Sequence, residues 1–144
     1  MEYTDTTKLL KECDAGIKMG VGSIEDVIDN ITDDKLKKIL FESKKKHEAL
    51  QGELHMMLTN TNNEGKNPNP MAKGMSWMKT EMKLAMDKSD NTVADLITDG
   101  CNMGIKSLSR YLNQYKTASD EAKAIARKLI SLEEHLRDDM RDYL

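Results

Sequence analysis

Proline is nearly missing from this chain: Pro68 and Pro70 are the only two, and both fall in one short polar stretch. Helices on either side of that stretch are therefore unobstructed. Aromatic residues make up 4% of the sequence against 11 methionines, so a core must be aliphatic and thioether-rich. Charge of one sign is lacking too, with 22 basic and 25 acidic residues and a net charge of −3, which leaves no general pull toward nucleic acid or anionic membrane. No apolar run approaches the ~20 residues that span a bilayer. The polar, acidic opening Met1-Glu2-Tyr3-Thr4-Asp5 does not resemble an export signal. With only Cys13 and Cys101 present, the expectation is a cytoplasmic protein with reduced thiols. There is no glycine-rich phosphate loop after a strand, no strand pattern and no nucleophile motif.

What is present is a repeat. Cys13-Asp14-Ala15-Gly16-Ile17-Lys18 returns as Cys101-Asn102-Met103-Gly104-Ile105-Lys106, 88 residues later. The same ungapped shift sets Lys35 on Lys123, Ser43 on Ser131 and His47 on His135. This predicts a duplicated helix pair within a single domain, 1–144, enough chain for one core.

Apolar residues at spacings of three and four predict four long helices. The first runs over 6–31 along Leu10, Cys13, Ile17, Val21, Ile24, Ile28 and Ile31, with Thr6 or Thr7 as its cap. Gly16, Gly20 and Gly22 interrupt it, each costing roughly 1 kcal/mol against alanine, which is tolerable where another helix or a ligand approaches. The second runs over 33–60 along Leu36, Leu40, Ser43, His47, Leu50, Leu54 and Met57. The third runs over 92–115 along Val93, Ile97, Cys101, Gly104, Leu108, Tyr111 and Tyr115. The fourth, capped by Ser119, uses Ala122, Ile125, Leu129, Leu132, Leu136, Met140 and Tyr143. Each would span roughly 36–42 Å at 1.5 Å per residue. Tight turns make antiparallel pairs of 6–60 and 92–143. Between them, 61–91 is a long connection carrying a short helix with Met71, Met75, Met78, Met82 and Met86 on one face. That face is read as packing on the bundle, in preference to a soft Cu(I) site or an adaptable partner surface.

This pattern resembles the ferritin-like superfamily: an all-α four-helix bundle of two antiparallel pairs joined by a crossover. Trp77-Met78-x-x-Glu81-Met82-Lys83, followed by the turn at Asp90, looks like a bacterial branch of unassigned function. The superfamily resemblance implies six metal ligands, a Glu from the first and third helices and Glu-x-x-His from the second and fourth. Here the corresponding positions read Lys44-x-x-His47 and Leu132-x-x-His135, and no acid near the hexapeptides, Glu12 and Asp99 included, falls clearly on the seam. At best two of six ligands remain, so the chain is read as not an enzyme.

Cys13, His47, Cys101 and His135, one per helix, are the candidate metal residues, a two-Cys, two-His set suited to zinc or, in part, to iron. Against them, His135 lies beside the fourth seam, and a shift of 89 aligns the seams better than 88. The plainer alternative makes His47 a hydrogen-bonded core histidine beside Ser43, His135 a surface residue and the cysteines packing residues; His55 has no assigned role. The lysines at 44–46 and the acids of the fourth helix are read as solvated faces. Three functions follow in order of preference. The first is a non-catalytic module acting through self-association or an unidentified protein partner, without nucleic acid, membrane or cofactor. The second is a zinc- or iron-binding protein. The third is a binder of a small apolar ligand near the glycines.

Overall fold

The computed structural model describes residues 4–61, 65 and 89–144. These residues are helical, without strands. Helix α1 (Asp5–Val27) continues as a 3-10 turn, Ile28–Asn30. Helices α2 (Asp34–Asn60) and α3 (Asp90–Gln114) follow, then α4 (Asp120–Asp139), which continues as a 3-10 turn, Met140–Tyr143. The expected crossover and its helix, Met71 to Met86 with Trp77, lie outside the described residues.

Each helix starts on a side-chain cap. Thr4, Asp33, Ser89 and Ser119 sit in extended backbone and accept the N–H of the residue three further on, which satisfies one of the free donors of a helix start. The cap of α1 is thus Thr4, not the expected Thr6 or Thr7. Thr6 is used elsewhere: its hydroxyl oxygen accepts the Ser119 N–H at 2.8 Å.

Helix α1 packs on the other three, α4 also touches α2 and α3, and α2 and α3 take opposite corners. Polar latches at the two ends set the directions. At one end, Asp90 at the start of α3 accepts the Thr32 N–H and hydroxyl and the Asp33 N–H, all within 3.0 Å. At the other end, Asp5 at the start of α1 accepts the Thr117 N–H and hydroxyl at 3.2 and 2.6 Å. The first acid of each pair therefore grips the turn threonine of the other pair, and α1 and α3 run antiparallel. The Tyr143 hydroxyl donates to Asp33 at 3.4 Å, which sets the end of α4 beside the start of α2. Leu58, near the end of α2, packs with Leu9, Leu10 and Ala118. Helix α2 thus ends at the opposite end of the bundle from where α3 begins.

The core falls into two clusters. One gathers Leu9, Leu10, Cys13, Ile17, Leu50, Leu54 and Leu58 with Leu108, Ala122, Ile125, Ala126 and Leu129. The other gathers Ile24, Val27, Leu36 and Leu40 with Val93, Ala94, Ile97, Cys101, Leu136 and Met140. Helix α4 departs from the expected seam in one respect: Leu132 is only half-buried, and Glu133 takes the inward position.

Asp90 is a prediction in itself. Burial would raise its carboxyl pKa, but the donors of Thr32 and Asp33 outweigh burial and hold it below the ordinary value of 3.8. Asp90→Ala leaves two backbone N–H groups and a hydroxyl to water; with the site near the surface, the expected loss is about 1 kcal/mol in urea denaturation. Asp90→Asn, which keeps one acceptor oxygen, should lose less. Equal stability of Asp90→Ala and wild type would show that the latch contributes nothing.

Candidate functional site

His47 and Glu133 face each other across the middle of the bundle, between the two apolar clusters. His47 is fully buried and Glu133 is 7% exposed. The imidazole Nδ1–H donates to the Ser43 carbonyl one turn back at 2.7 Å. Its Nε2 lies 2.7 Å from Glu133 Oε1. Burial on its own would lower the imidazole pKa, but the hydrogen bond and negative charge of Glu133 and the Ser43 carbonyl outweigh it and raise the pKa. The result is a buried imidazolium–carboxylate pair with both ring N–H groups satisfied.

The four predicted metal residues do not come together. His135 is exposed on α4, where its Nδ1–H donates to the Ser131 carbonyl at 2.9 Å. Cys13 belongs to one apolar cluster and Cys101 to the other. Burial, then the nearby acids, raise the Cys13 thiol to about 12. Burial, then the negative charge of the neighbouring Glu133, also raise Cys101. A metal at His47 would have to displace an imidazolium proton and recruit thiols that burial keeps protonated. Among the described residues, no group of three or more His, Cys, Asp or Glu side chains is arranged to hold an ion.

His47 and His135, which coincide at a shift of 88, differ in surroundings, one buried and the other exposed. Leu36, Leu40, Ser43, His47, Leu50 and Leu54, all buried on α2, coincide with buried Ala122, Ala126, Leu129, Glu133, Leu136 and Met140 at a constant shift of 86. The caps Asp33 and Ser119 obey the same shift. Neither 88 nor 89 does this, and the position matching His47 is Glu133. The signal was available, since Leu129, Glu133, Leu136 and Met140 step by four, three and four.

A cavity of about 340 Å³ opens above this pair, between α1 and α3. Gly16, Met19, Gly20 and Ser23 line it from α1, and Gly100, Cys101, Met103, Gly104 and Leu108 from α3. His47 and Glu133 form its polar floor, beside Leu129 and Leu136. The glycines are not there to let helices touch. A methyl group at Gly16 or Gly104 would meet its nearest neighbour at an ordinary 3.6 or 3.5 Å, and one at Gly100 would meet nothing within 4 Å. Only at Gly20 would it press on the His47 ring, at 3.3 Å.

A second polar group was not foreseen. Asp14 of the first hexapeptide is fully buried, and its carboxylate takes Lys18 and His55 at 2.8 Å and Gln51 at 3.4 Å. Burial raises its pKa, but these three partners outweigh burial and hold it below 3.8. Gly65 abuts the same carboxylate so closely that a side chain there would collide with it. His55, which the sequence left without a role, thereby ties α2 to α1.

No protein-family model, curated protein sequence or solved structure matches this chain.

Two predictions follow from the pair and the glycines. Because the folded pKa of His47 is raised above its ordinary 6.5, its contribution to stability is complete below 6.5 and is lost as pH rises through the folded value. In Glu133→Gln the carboxylate is gone, burial dominates, and the His47 contribution changes sign. The variant should be less stable by about 3 kcal/mol at pH 6, with the gap narrowing toward pH 9 in urea titrations. A gap that stays constant with pH would refute the charged pair. Among the glycines, Gly16→Ala, Gly100→Ala and Gly104→Ala should each stabilise by about 0.5–1 kcal/mol. Gly20→Ala should not, because His47 is held at both nitrogens and cannot give way.

Proposed function

We propose that this chain is a non-catalytic, ferritin-like bundle whose role is to hold a small, largely apolar molecule in the cavity between α1 and α3. The observation that carries this reading is the set of four glycines lining one cavity inside two helices, Gly16, Gly20, Gly100 and Gly104. Each glycine costs about 0.8–1 kcal/mol against alanine in a helix interior. At three of the four the neighbours would accept a methyl group, so close packing does not account for them. What they provide is space, and that space is concave, mostly apolar and floored by a few polar groups, as small-molecule sites are.

The ferritin-like part of the proposal rests on topology and equivalence. Helix α2 ends at one end of the bundle and α3 starts at the other, which calls for a crossover between two antiparallel pairs. The reciprocal Asp–Thr latches and the constant shift of 86 in α2 and α4 support a duplicated hairpin. Association, the reading preferred from sequence, has its support in exposed Phe41, Met56 and Met103. Met103 also lines the cavity mouth, so that part of the surface belongs to the site.

Methionine methyl NMR tests the proposal. Titrating the protein with a small apolar probe such as indole should shift the Met19 and Met103 methyl signals and raise the melting temperature. Gly104→Leu, which places a side chain in the cavity, should fold with equal or higher stability and abolish both effects. Shifts that persist in this variant, or signals that do not move in wild type, would overturn it.

A further inference from the structure

Resting on the cavity reading above, we infer that the ligand is an elongated, uncharged apolar molecule bearing a hydrogen-bond donor, such as a hydroxyl, that the Glu133 carboxylate accepts.

The donors and acceptors of the floor decide the polarity of the ligand. Both ring N–H groups of His47 are spent, on Ser43 and on Glu133. The Cys101 thiol lies in the same lining, beside Glu133. The Ser23 hydroxyl donates to the Met19 carbonyl at 2.9 Å. At the floor itself, the His47 donors are therefore spent, and the hydroxyls of Ser107 and Tyr111 belong to the α3 wall. A carboxylate offers about four lone-pair sites and no donor, and Glu133 uses part of that capacity on His47. Its Oε2 lies under Gly104, 3.5 Å from where a Cβ would sit. A ligand that donates completes this floor. A ligand that only accepts meets no spare N–H of His47 at the floor.

Charge follows from the same atoms. The imidazolium and carboxylate cancel in net charge, and Glu12 adds an acid at one end of the α1 lining, so the site has no excess positive charge to attract an anion. An anion would place a second negative charge against a buried carboxylate, and water is scarce there to screen the repulsion.

Size and shape follow from the walls. A cavity of ~150 Å³ holds benzene, so about 340 Å³ accommodates roughly a dozen non-hydrogen atoms by the same scale. The lining on α1 runs from Glu12 to Ile24, about 18 Å of helix at 1.5 Å per residue. The lining is thus extended along the helix, and the side chains of Met19 and Met103 adapt to irregular apolar shapes.

Three probes of nearly equal size separate the possibilities in calorimetric titrations of the full chain: decan-1-ol, nonyl methyl ether and decanoate. Decan-1-ol should bind one per chain. The ether matches its length but lacks the donor, and should bind about tenfold more weakly, the loss of one hydrogen bond to a charged acceptor. Decanoate should bind at least as weakly as the ether. In Glu133→Gln the side chain gains donors and loses its charge, so the alcohol–ether gap should shrink and decanoate should improve. Equal binding of all three probes, blocked by Gly104→Leu, would overturn the assignment of ligand class and leave the cavity reading standing. Binding of none of them, with no Met19 or Met103 response to indole, would overturn the cavity reading itself.

Discussion

The bundle is organised around one buried ion pair. His47 Nε2 and Glu133 Oε1 sit 2.7 Å apart where the two apolar clusters meet. Replacing such a pair with well-packed hydrophobic residues is often neutral or stabilising, whereas removing one partner is strongly destabilising. The pair therefore does more to select a geometry than to add net stability. Helices α2 and α4 are otherwise lined by interchangeable aliphatic side chains. A slip of one turn would carry the imidazolium and the carboxylate into leucine on either side, so only one register satisfies both. The Ser43 carbonyl completes this selection by fixing the ring from its own helix.

Above the pair, space has been kept where stability would have filled it. The helix-interior glycines of α1 and α3 lower helix propensity, and most of them could be alanine without a clash. Gly20 is the exception, and its reason is local: a methyl group there would push on the His47 ring and its contact with Glu133. The ion pair and the cavity are thus coupled through Gly20, because the ring that orders the floor also keeps the wall bare.

Much of the fold was legible because it rests on local chemistry. Spacings of three and four located the helices, and Ser119 announced its own cap. Thr4 was missed as a cap because Thr6 and Thr7 offer the same side-chain chemistry; the choice among them depends on Thr6 being drawn to the Ser119 N–H, a contact between distant parts of the chain. The site was less legible for a related reason. Identity between His47 and His135 suggests a shift of 88, but the buried positions of α2 and α4 coincide at 86, which sets His47 on a glutamate, and similarity of letters carries no information about an acid facing a base. Glu133 was counted among surface charges because Leu132 beside it looked like the better core residue. The alternation of Leu129, Glu133 and Leu136 was readable, but accepting it required a partner for a buried carboxylate, and that partner lies on another helix. Asp14 was hidden likewise, since Lys18 is local whereas His55 and Gln51 come from α2.

The end latches make further sense once the middle is seen to be open. A void withholds van der Waals contacts from the side chains around it, and the cavity between α1 and α3 does so along the middle of both helices. Asp5 with Thr117 and Asp90 with Thr32 hold that same helix pair at its two extremities. Two polar clamps at the ends let α1 and α3 stand apart in the middle without the bundle splaying. A molecule entering the cavity would supply the missing contacts to both helices at once. Because it binds only the folded chain, it would raise stability in proportion to the logarithm of its concentration above its dissociation constant. On the proposed reading, clamped ends and a spaced middle would work together, the packing given up by the glycines being recovered when the cavity is filled.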